Sequence, residues 1–69
     1  MIIYYEYERV LGVNSTHDDD SGERQYNYFS SLSKFKQWVS YEMGNSDVVE
    51  ITDSNYRQLV QKGVIWKML

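Results

Sequence analysis

The chain has no cysteine. A disulfide and a thiolate metal site are both excluded as staples. It has no proline, so no stretch reads as a stiff linker. Its four glycines, Gly12, Gly22, Gly44 and Gly63, stand apart from one another, and no phosphate-cradling loop can be built from them. Long apolar runs are missing too. Met1-Ile2-Ile3-Tyr4-Tyr5 opens apolar, but Glu6 follows at once and no basic segment precedes it. Neither a secretory leader nor a membrane partner is expected, and the cytoplasm is the expected compartment.

Aromatic side chains are what the sequence has in quantity. They make up 16% of its 69 residues, with seven Tyr and two Trp. That richness argues for a packed core rather than disorder. The length predicts one small domain over 1–69, and such a chain buries only ~60% of its unfolded surface. The net charge of -3 is unevenly spread. Residues 1–30 carry Glu6, Glu8, Asp18, Asp19, Asp20 and Glu23 against Arg9 and Arg24. An acidic half disfavours a phosphate backbone and favours a basic protein surface.

The clearest periodicity lies between Ser31 and Gly44. Leu32, Phe35, Trp38, Val39 and Met43 recur at three- and four-residue steps, which predicts an amphipathic helix. Ser30 or Ser31 suits its N-cap, and Gly44 its left-handed end. Residues 2–13 read as a strand, with Ile3, Tyr5, Tyr7, Leu11 and Val13 inward. The polar stretch 14–22 reads as the mobile acidic loop of a hairpin. Glu23–Ser30 is the expected return strand, with Tyr26 and Tyr28 on one face in an aromatic ladder. Asp47–Thr52 reads as a third strand. A short helix capped by Asp53 or Ser54 should run to Lys62, with a last strand over Val64–Leu69. The order strand-strand-helix-strand-helix-strand predicts an α+β two-layer sandwich: a small, mostly antiparallel sheet under one main helix.

No catalytic set emerges. His17-Asp18-Asp19-Asp20 gathers possible metal ligands, but counting from Asp18 puts Gly22 fifth and Phe29 twelfth, which breaks the calcium-loop pattern. The single histidine falls in the expected loop, and no nucleophile elbow exists. Glu6 and Glu8, two apart on an outward strand face, read as solvated surface. Neither cofactor nor metal is expected. Tyr4, Tyr26 and Tyr28 could stack bases as in single-strand binders, but the cations that track phosphates are missing beside them. Nucleic acid is the alternative partner and a protein the expected one, because Tyr, Trp and Met are enriched at interface centres. The expected contact residues are Glu6, Glu8, Asp18, Asp19, Asp20 and Glu23 for charge, and Tyr4, Tyr28 and Trp66 for apolar surface. Apolar residues on both faces of Val64–Leu69 also predict a homodimer.

From Asp18 to Ile51 the features run Asp18-Asp19-Asp20, Gly22, Tyr26-x-Tyr28, Leu32-Ser33 opening a helix with Phe35, Gly44-Asn45 closing it, and Asp47 before a strand. That order resembles the small uracil-DNA glycosylase inhibitors of Bacillus phages. The resemblance implies an α+β dimer that imitates DNA and captures an apolar side chain of its target enzyme. It covers about half the chain. Lys36 stands where that family is acidic, and Asp53–Leu69 has no counterpart in it. The implied class is a phage or mobile-element protein that blocks or modulates a host protein by surface contact.

Overall fold

The computed structural model describes residues 1–44 and 46–64. Its elements are β1 (Ile2–Glu8), β2 (Gly12–Asp18), β3 (Arg24–Phe29), α1 (Leu32–Glu42), β4 (Asp47–Glu50) and α2 (Tyr56–Gln61). The strands form one sheet in the order β3-β2-β1-β4. Pairing is antiparallel between β1 and β2 and between β2 and β3, and parallel between β1 and β4. The helix α1 makes the crossover that the parallel pair needs. The fold is α+β with a mostly antiparallel sheet, as the residue pattern predicts. The expected last strand and Trp66 fall on residues 65–69, outside the described residues.

Helix α1 forms where its periodicity places it. Ser31, in extended conformation, accepts the Lys34 amide on its side chain at 3.2 Å, which satisfies one of the donors a helix start leaves open. Past the C-cap Met43, Gly44 takes a φ of 52°, a left-handed turn that glycine adopts without strain. The helix lays Phe35 onto Ile3 and Val13, and these three side chains are fully enclosed. Around them the rings of Tyr5 and Phe29 lie 4.8 and 5.6 Å from Phe35, and Trp38 lies 5.1 Å from Phe29. Such ring pairs add about 0.5–1.5 kcal/mol each beyond the area they bury. Ser33, Lys34, Lys36, Gln37, Ser40 and Glu42 are exposed.

The sheet departs from expectation in its first half. Residues 2–13 are not one strand. The chain reverses at Arg9-Val10-Leu11, where one carboxylate oxygen of Glu8 accepts the amides of Val10 at 2.8 Å and Leu11 at 2.7 Å. Leu11, expected inward, is 66% exposed at this turn. The loop expected over 14–22 begins only after Asp18, because Asn14-Ser15-Thr16-His17 runs inside β2, between β1 and β3. These residues are polar and ordinarily favour turns. Here they are held by pairing on both sides, and Ser15, Thr16 and His17 are buried. Gly12 opens β2 with a φ of 100°. A Cβ there would stand against the Phe29 carbonyl oxygen and 3.0 Å from the Tyr28 hydroxyl.

The second helix is shorter than expected, and Asn55, not Asp53 or Ser54, takes its N-cap position. The Asn55 side chain turns backward instead. It accepts the Thr52 amide and donates to the Glu50 carbonyl, both at 2.8 Å, and so ties the turn after β4.

Candidate functional site

Register divides the sheet into two faces. Ile3, Tyr5, Val13, Ser15, His17, Asn27 and Phe29 point toward α1. On the opposite face Tyr26, Thr16 and Tyr4 form one cross-strand row, and Tyr28, Asn14 and Glu6 the next. Tyr26 is 58% exposed and Tyr28 60%. Two residues apart on one strand, their Cα atoms stand about 7 Å from each other. The Tyr28 hydroxyl donates to the Leu11 carbonyl at 2.6 Å, which fixes that ring over Gly12. Glu6 and Asn14 are exposed beside them, and Tyr4 is half-buried. Tyr26 is absent from the contact residues expected above. The parity that selects Tyr28 selects Tyr26 as well, and exposure makes them a pair.

The acids do not make one patch. Glu8 sits at the β1–β2 turn, with its carboxylate engaged by two amides. Asp18, Asp19, Asp20 and Glu23 cluster at the far end of β2, about 20 Å away along the strand. That is more than twice the screening length of about 8 Å in physiological salt, so the two ends act separately. Within the cluster the roles differ. Asp18 receives the Arg24 guanidinium at 2.7 Å in the one ion pair among the described residues, and its side chain stays 59% exposed. Asp19 organises the β2–β3 turn. One of its carboxylate oxygens accepts the Ser21 hydroxyl at 2.7 Å and the amides of Ser21 and Glu23 at 3.0 and 2.9 Å. The other accepts the Gln25 amide group at 2.9 Å. These donors, the Ser21 hydroxyl foremost, hold the Asp19 carboxyl below its ordinary range. Asp20 and Glu23 are exposed and face solvent.

Arg24 does more than pair with Asp18. Its Nη1 donates to the Val64 carbonyl at 2.6 Å, which brings the chain beyond α2 back to this end of the sheet. Beside it opens a hollow of about 510 Å³, with Ile2, Tyr4, Asp18, Asp20, Arg24 and Val64 among its lining. Apolar surface and carboxylates share its wall.

His17 lies elsewhere than expected. It is not in a loop among carboxylates. It is 7% exposed on the α1 side of β2, with its ring 5.8 Å from that of Trp38. Its Nδ1, the Ser15 hydroxyl and the Asn27 side-chain oxygen are buried without hydrogen-bond partners among the described residues. Ser15 and His17 share a face but are not hydrogen-bonded, so they do not form the contact of a nucleophile with its base. Among the described residues no group of three or more His, Cys, Asp or Glu is placed to hold a metal ion. No helix among them is long and apolar enough to cross a membrane.

Comparison with protein-family models, with curated proteins and with solved structures finds no match to this chain.

Proposed function

We propose that this chain is a small non-catalytic protein of phage or mobile-element type that binds a host protein and inhibits or modulates it. The observation that carries this reading is the exposed Tyr26–Tyr28 pair beside Glu6, on the sheet face away from α1. Two rings held on a rigid strand offer apolar area at little entropic cost, and tyrosine is enriched where interfaces bind most strongly. The hollow at the Asp18 end supplies a second contact, with carboxylates suited to a lysine or arginine of the partner. Any imitation of DNA would draw on Asp18, Asp20 and Glu23. Glu8, through one carboxylate oxygen, and Asp19, through both, accept hydrogen bonds within the two surface turns and serve the site by shaping them.

Affinity capture from host extract, with the wild type and with Tyr26→Ala and Glu6→Lys, tests the reading. The wild type should retain a partner that both variants lose. Equal capture by all three would contradict it. The same tyrosine pair favours a second reading, a single-stranded nucleic-acid binder that stacks bases on its rings. That reading predicts salt-dependent anisotropy with short oligonucleotides at micromolar protein, and a flat titration at low salt ends it.

A further inference from the structure

We propose that the outer edge of β3 pairs with β3 of a second copy, antiparallel, to make one continuous sheet across a two-fold axis. Hydrogen-bond direction carries the inference. The Asp19 amide donates to the Glu23 carbonyl at 2.9 Å, which makes that pair a hydrogen-bonded one. Alternation along an antiparallel ladder then gives Gln25, Asn27 and Phe29 to β2 and turns the N–H and C=O groups of Arg24, Tyr26 and Tyr28 outward. The far side of the sheet agrees independently. The Asp47 and Ile51 amides donate to the carbonyls of Met1 and Tyr5, so the odd residues of β1 serve β4 and the even ones serve β2. Counting across β2 from there gives the same assignment for β3.

Among the described residues β3 has a neighbour on one side only. Proteins blunt such edges with proline, lysine or a bulge. Arg24–Phe29 contains neither residue, and its register with β2 runs unbroken from Asp18↔Arg24 to Val13↔Phe29. Charge distinguishes the two edges of the sheet. Residues 25–29 are uncharged, so a copy meets no repulsion there. The β4 edge carries exposed Asp47 and Glu50 at its two ends, and self-pairing would set acid near acid. With the axis at Asn27, Tyr26 lies opposite Tyr28 of the second copy and Tyr28 opposite its Tyr26. Both crossings lie on the face away from α1, and the α1 helices of both copies share the other. The two rings that one copy leaves more than half exposed then pack against each other.

Sedimentation equilibrium from micromolar to millimolar protein, with amide exchange at both extremes, tests this. The mass should rise from 8.3 kDa toward twice that value. The Tyr26 and Tyr28 amides should slow with concentration, while Asn27, already bonded to β2, should not change. Tyr26→Lys should hold the chain at the monomer mass, and Tyr41→Lys on the exposed side of α1 should still dimerise. A monomer mass throughout would overturn the proposal. So would a dimer that Tyr26→Lys leaves intact, or Tyr26 and Tyr28 exchange that ignores concentration.

Discussion

Phe35 bears more of this fold than any other side chain. It touches both strands of the buried centre and three of the rings around it. Phe35→Ala should cost about 3–5 kcal/mol. A chain of this length has about 3–10 kcal/mol to lose, so far-UV circular dichroism should show that variant largely unfolded. Phe35→Leu, which leaves a smaller cavity but forfeits the three ring pairs, should lose less than the alanine variant, about 1.5–4 kcal/mol. Two titrating groups give opposite pH behaviour. Burial first, and the Glu50 carboxylate second, raise Tyr5 above its ordinary 10.0. Its neutral phenol is the form the native state favours, so its contribution is whole below 10.0 and is lost as pH climbs through the raised value. NMR titration should place Tyr5 above 10.0, and Glu50→Gln should reverse only the smaller part of the shift. Asp19 behaves conversely. Its lowered value means a contribution that is full above the ordinary 3.8 and is lost as pH falls through the lower one. A carboxyl midpoint at or above 3.8 would refute the hydrogen-bonded turn.

The elements differ in how far the residues announce them. Helix α1 is legible almost to the residue because stripe and left-handed glycine agree, and of the two expected caps, Ser30 and Ser31, the helix takes Ser31. The β1–β2 hairpin is not, because Glu8-Arg9-Val10-Leu11 holds no turn-favouring pair. Its turn is made by a carboxylate reaching forward to two amides, which local patterning does not show. Strand β2 is hidden for the opposite reason. Asn14-Ser15-Thr16 carries turn-forming residues, and only pairing with β1 and β3 overrides that preference. Both departures bear on the candidate site. Glu8 stands at a turn and not on an open strand face, and His17 is buried and not in a solvated loop. Gly12 is the element-scale weak point. Gly12→Ala should cost about 1–3 kcal/mol from its φ of 100° alone, and more if the Phe29 carbonyl cannot shift. Tyr28→Phe, which removes only the hydrogen bond to Leu11, should cost about 1 kcal/mol. Urea midpoints would rank the two.

At the scale of the whole molecule the shape is a slab, 32 by 31 Å across and 17 Å thick. That thickness is about one helix layer on one sheet, with α1 on one side and, on the other, Tyr26 and Tyr28 exposed beyond the end where Arg24 holds Val64. Four buried apolar residues, Ile3, Val13, Phe35 and Leu59, are the enclosed core among the described residues. So small a core leaves stability sensitive to association, and any partner that covers Tyr26 and Tyr28 should raise the melting temperature. The open tyrosine pair requires β2 to run between β1 and β3, in the register that turns the β3 rings away from α1. A nuclear Overhauser experiment on the protein in solution tests that most directly. The structure predicts strong contacts between the α-protons of Thr16 and Tyr26 and between those of Asn14 and Tyr28, the close non-hydrogen-bonded pairs of the ladder. Random-coil shifts over residues 14–18, with neither contact present, would contradict it.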